Sequence, residues 1–134
     1  MSKKNPPLME YTPSNLDKVS KIILCNLTQD LLTRNWIDLN NKNSVAGHCH
    51  NASGCLYRIF GCDAVNMYRG LDPSGEYHWW IQDKSGKIID LTSSQYTKTE
   101  LKNIYANAEK KGMLGFGYRK RVLKLLDAVL KSCN

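Results

Sequence analysis

The segment "GHCHNASGCLYRIFG", residues 47–61, places His48, Cys49, His50 and Cys55 around the start of one expected helix, and Cys62 follows it. Three chemistries use such residues: a metal site, a reactive thiol, or ordinary packing. Structural zinc sites favour paired ligands at short spacing, such as two cysteines separated by two to four residues. Here Cys49, Cys55 and Cys62 lie six and seven positions apart, and no second cluster completes a tetrahedral set. Metal is therefore the weakest reading, and no cofactor is expected. Cys55, Cys62 and Cys25 read as small buried hydrophobes, a common use of free cysteine. Cys133 reads as incidental.

Cys49 differs by position. Gly47 makes a turn before it, and the apolar helical pattern begins directly after it. A thiol in the first turn of a helix meets unsatisfied N–H groups and the positive end of the macrodipole. Both favour the thiolate, which is the nucleophile. The same N–H groups can stabilise an oxyanion formed by its attack.

A nucleophile needs a base, and the base needs an orienting partner. The stretch "YHWWIQDKSGKIIDLTSSQ" offers both, with His78 in one expected strand and Asp90 in the next. Their faces coincide only if the turn between them has the right length. A three-residue loop, Lys84-Ser85-Gly86, with Gly86 in the left-handed conformation, pairs Trp80 with Asp90 and His78 with Thr92. His78 and Asp90 are then diagonal neighbours on one face. An even loop length would separate them. Each residue also has a plainer use: His78 as a half-buried strand histidine, Asp90 as a strand end. His48 and His50 read as surface or supporting polar groups, and Trp79 and Trp80 as core and pocket wall.

The elements that must position these residues follow from periodicity. Residues 1–11 are polar with two prolines and are expected to form a flexible arm, leaving residues 12–134 as a single domain. Thr12-Pro13 is a helix start, and Leu16, Val19, Ile23, Leu27 and Leu31 share one face of a helix reaching about Leu32. A polar, asparagine-rich loop follows. After the helix from Cys49 to Gly61, "AVNMYRGL" and "EYHWWIQ" read as strands joined by the turn "DPSG", and "IIDLT" as the returning strand. Leu101, Ile104, Tyr105 and Ala108 mark a helix stopped at Gly112, the glycine-rich "GMLGFG" a turn, and Val122, Leu126, Val129 and Leu130 a last helix over 119–132. This order predicts an α+β fold.

The 134 residues are 42% hydrophobic and 23% charged, the composition of a soluble globular domain. No apolar run is long enough to span a bilayer, and "MSKKNPPLMEY" lacks the apolar segment of a secretory signal. An odd count of five cysteines fits reduced thiols, so the expected location is cytoplasmic, without membrane association. The net charge of +7 would favour nucleic acid. The basic residues are scattered, however, with local density only at the N-terminus and in "YRKRVLK". Nucleic acid is thus a possible but less favoured partner. Oligomeric state is not legible.

A cysteine at a helix start, then "HWW" on a strand and "DLT" on the next, resembles the papain-like and transglutaminase-like superfamily of cysteine enzymes. Within it, "GHCHNAS" and "GEYHWWIQDKSGKIIDLTSSQY" are most similar to YunG-like proteins over residues 47–96. The resemblance implies a papain-like or transglutaminase-like core, with a nucleophile helix packed on a small antiparallel sheet between flanking helices. It implies Cys49 as nucleophile, His78 as general base and acid, and Asp90 as the residue orienting His78. The expected activity is that of a cysteine hydrolase or acyltransferase, acting on a protein, peptide or small amide or ester. Papain-like enzymes place a glutamine upstream of the cysteine as an oxyanion donor. The segment leading into this helix has none, and Asn43 stands at a plausible distance. Asn43, His48, Trp80 and Gln95 are therefore the candidates for an oxyanion site or substrate pocket, Gln95 with a structural hydrogen bond to its own loop as the simpler reading. A non-catalytic binding or inhibitor module on the same fold, and a basic nucleic-acid-binding protein, are the alternatives.

Overall fold

The computed structural model describes residues 7–32, 47–112 and 116–133. Helix α1 spans Pro13–Cys25, with the Thr12 side chain accepting from the Asn15 N–H at its start. It stops seven residues short of the expected end. The Asn26 side chain donates to the Ile22 carbonyl at 2.8 Å, and such local bonds compete with helix continuation. Leu31 instead reaches the core from a 3₁₀ turn, Gln29–Leu31.

Helix α2, Cys49–Phe60, leads into strands β1 (Val65–Leu71), β2 (Tyr77–Asp83) and β3 (Ile88–Ile89). Helix α3 (Lys98–Ala106), strand β4 (Glu109–Lys111) and helix α4 (Phe116–Ser132) complete the order. The sheet is β3-β2-β1-β4, antiparallel at each pairing, so the architecture is α+β with a small four-stranded sheet. β4 was not expected: its three residues are polar and carry no apolar alternation. The Arg69 guanidinium bonds Glu109 at 2.8 Å and holds it to the edge. α4 starts at Phe116, inside the segment read as a turn.

The sheet has two covered faces, because side chains alternate along each strand. Val65, Met67, Trp79, Ile81 and Ile89 pack with α1, α2 and α4 in the main core. The opposite face carries Tyr68, Gly70, His78 and Trp80, and α3 lies against it. Gly70 permits that approach, since a Cβ there would stand 2.4 Å from the Ile104 carbonyl oxygen.

Part of the segment read as a flexible arm is docked. The N–H groups of Leu8 and Met9 donate to the Ile59 carbonyl at 2.8 and 3.2 Å. The Tyr11 hydroxyl donates to Asp83 at 2.9 Å, and its ring packs edge-on against Phe60. Residues 1–6 lie outside the described residues, as does the 33–46 part of the asparagine-rich loop.

Candidate active site

Three local structures converge at one end of β2. The first is the start of α2: His48 is the N-cap, and Cys49 is the first helical residue. Cys49 is half-buried, and its thiol donates to the Tyr77 carbonyl at 3.9 Å. The helix thereby presents its nucleophile candidate beside the residue preceding His78.

The second is the β2–β3 hairpin. Ile81 pairs with Ile89 and Gln82 with Ile88, and the Asp83 N–H donates to the Lys87 carbonyl. The loop is therefore Lys84-Ser85-Gly86, and Gly86 sits at φ 88°, a conformation that favours glycine. The Asp83 carboxylate secures the loop by accepting the N–H groups of Ser85 and Lys87 at 2.9 and 3.0 Å. The strand expected over "IIDLT" is only Ile88–Ile89, so the Trp80–Asp90 and His78–Thr92 pairs do not form; Asp90 is the first residue past β3, and Leu91 and Thr92 lie in a turn. His78 Nε2 and Asp90 Oδ2 are 2.6 Å apart, with the two side chains 0% and 4% exposed.

The third is α3, which begins with a capping box between Thr97 and Glu100. It delivers Tyr105, whose hydroxyl donates to Asp90 Oδ2 at 2.5 Å. The Thr92 N–H donates to Asp90 Oδ1 at 3.2 Å. These donors satisfy carboxylate oxygens that burial would otherwise leave unpaired.

Burial alone would push the His78 imidazole down. The hydrogen bond that the ring donates to Asp90 and the neighbouring Cys49 sulfur outweigh it, and the pKa is raised to about 9. With Nε2 bound to Asp90, Nδ1 is the nitrogen left to serve Cys49; it has no hydrogen-bond partner among the described residues. The thiol and ring are thus adjacent without a closed hydrogen bond. The ring is held by Tyr96, edge-on at 4.8 Å between centroids, and by Trp80 at 5.8 Å. Tyr96 is itself anchored, its hydroxyl donating to Asp72 at 2.7 Å. Burial first, then the acceptor carboxylates, raise the pKa of both Tyr96 and Tyr105, so both remain donors.

The two histidines beside Cys49 are buried, not on the surface. Burial pushes each to about 4, so both are neutral at pH 7. His50 packs edge-on against Trp79 at 4.8 Å. Asn51 donates to the Leu31 carbonyl at 3.0 Å and approaches His48 Nδ1 at 3.4 Å, seating the helix start on the preceding turn. Trp80 is fully buried beneath His78 and Tyr105, a floor to the site with no face open to substrate. Gln95 donates to the Thr92 carbonyl at 3.1 Å within its own loop. Asn43 lies outside the described residues.

Of the other cysteines, Cys55 is buried, and burial pushes its thiol up to about 12. Cys62 is half-buried. Cys25 is exposed, contrary to its reading as a packing residue, because it lies two positions past buried Ile23 and so faces the outer side of α1. Cys133 packs against the core. Among the described residues, no group of three His, Cys, Asp or Glu side chains could hold a metal ion. Nor is any helix among them long and apolar enough to cross a membrane.

The family model described as YunG protein matches residues 15–133. The chain belongs to the YunG family. The matched span of this YunG-family chain contains Cys49, His78 and Asp90, and it also takes in both tyrosines that hold them. It extends well beyond the 47–96 segment whose residues carry the resemblance, to the first and last helices. Comparison with the curated proteins and with the solved structures gives no match.

Proposed function

We propose that this chain is a cysteine hydrolase or acyltransferase with a papain-like or transglutaminase-like arrangement. One observation carries the reading: the helix-start thiol of Cys49 stands beside His78, whose far nitrogen is 2.6 Å from a buried Asp90 carboxylate. A structural histidine does not need a buried carboxylate behind it and a half-buried thiol in front.

Cys49 reacts as a thiolate whose proton His78 holds on Nδ1, and Sγ attacks the carbonyl carbon of an amide or ester, forming the C–S bond. The carbonyl electrons move onto oxygen, and the helix-start N–H groups stabilise that oxyanion. As the oxyanion collapses, the C–N or C–O bond breaks and the His78 imidazolium protonates the leaving amine or alcohol. Neutral His78 then takes a proton from water, or from an acceptor amine, as it attacks the thioester. Cys49 is released and the acid or new amide departs. Asp90 keeps the ring in the tautomer that presents Nδ1 to Cys49 and offsets the imidazolium charge.

The reaction can be tested before the substrate is known. Incubated with p-nitrophenyl acetate, the protein should release p-nitrophenol and carry one acetyl thioester, located at Cys49 by peptide mass spectrometry. Acetylation spread over lysines, with Cys49 unmodified, would instead favour the binding-module reading.

A further inference from the structure

Asp90 Oδ2 accepts two hydrogen bonds, from His78 Nε2 at 2.6 Å and from the Tyr105 hydroxyl at 2.5 Å. Both are short, as bonds to an ionised carboxylate are. Donors on one oxygen compete for the same charge, so a carboxylate relieved of one donor becomes a stronger acceptor for the other. Tyr105 reaches this oxygen only because α3 sits tightly on β1 over Gly70, where the Ile104 carbonyl leaves no space for a Cβ. The contact is built into the docking of the helix.

We propose that Tyr105 is a positioning residue that draws part of the Asp90 charge away from His78 and so limits how strongly the ring holds its proton. The inference rests on the acyl-transfer reading for its purpose. A group that must both give and take a proton works best when its basicity lies near the working pH. Asp90 alone behind a buried ring would hold the proton too firmly for release to a leaving group. The ionisable groups facing His78 are Cys49 from α2, Asp90 and Tyr96 from the segment after β3, and Tyr105 from α3. Asp72 acts on it only through the Tyr96 hydroxyl. Of these, Tyr105 alone touches the oxygen that His78 uses.

The test is the ¹⁵N NMR titration of His78 in the resting full-length protein, assigned by its loss in His78→Gln. Tyr105→Phe should raise the His78 midpoint by about half a pH unit or more. Site-specific 3-fluorotyrosine at 105, a stronger donor of the same shape, should lower it. In the Asp90→Asn background, Tyr105→Phe should produce no such shift. An unchanged or lowered midpoint in folded Tyr105→Phe overturns the proposal, as does a shift that persists without the Asp90 charge. If Tyr105→Phe fails to fold, the fluorotyrosine protein decides alone: a midpoint that does not fall overturns it. No substrate is needed, so the two readings fail separately. An inert Cys49 with a Tyr105-dependent His78 would sink the acyl-transfer function and leave this coupling intact.

Discussion

Replacing His78 by glutamine should slow acetylation of Cys49 by p-nitrophenyl acetate about 10²- to 10⁴-fold, the range for removing a general acid–base group. Glutamine can still donate to Asp90, so the buried carboxylate is not abandoned and the fold should survive, as circular dichroism would verify. Two functions are lost together. The imidazolium no longer stands beside the attacking sulfur, and nothing remains to take a proton from the water that resolves the thioester. Any acetyl-enzyme that does form should therefore persist. A His78→Gln protein that acetylates and turns over at the wild-type rate would reduce His78 to a packed strand residue.

Asp90→Asn should produce a defect that depends on pH. The raised His78 pKa means that the imidazolium is present below the ordinary histidine value and is lost only as pH rises through about 9. At pH 8, about nine rings in ten are then charged. At an ordinary pKa of about 6.5 the figure is about one in thirty, and lower still for a ring this buried. Reactivity of Cys49 should thus fall by up to about 30-fold near pH 8. It should approach wild type only well above pH 9, where the wild-type ring too has lost most of its charge. Asp90→Ala should lose more, because the ring can then rotate and the Tyr105 and Thr92 donors lose their acceptor. Initial rates measured from pH 5 to 10 would separate the two variants. If both follow the wild-type profile, Asp90 is only a residue at a strand end.

The geometry that brings His78 to Asp90 was legible because local rules determine it. Gly86 closes the three-residue loop, that length sets the Ile81–Ile89 register, and Asp90 follows directly at the strand end, within reach of His78. Thr12-Pro13 and Gly61 were equally readable as helix ends. What failed depended on tertiary partners. The apolar stripe through Leu27 and Leu31 pointed to continued helix, whereas a side-chain bond at Asn26 ends α1 and the 3₁₀ turn rescues Leu31. β4 has no apolar pattern, and it pairs because Arg69 reaches Glu109. Between the surface and supporting positions open to His48 and His50, their burial against Asn51 and Trp79 leaves the second. Tyr105 was visible only as one more apolar position on α3. No spacing rule connects it to Asp90; the missing side chain at Gly70 does. The capping box at Thr97 and Glu100 was present in the sequence and would have placed the start of that helix.

The central claim is that Cys49 is an activated nucleophile, and cysteine-by-cysteine alkylation tests it most directly. The native protein would be treated with limiting iodoacetamide from pH 5 to 9, and each of the five cysteines read by peptide mass spectrometry. Accessibility alone ranks exposed Cys25 first, half-buried Cys49 below it and buried Cys55 last. Activation by a helix start and a neighbouring imidazolium reverses the first two. Cys49 should label fastest, and its labelling should persist below pH 7. Cys49 labelling no faster than Cys25, with the same pH dependence, would contradict it.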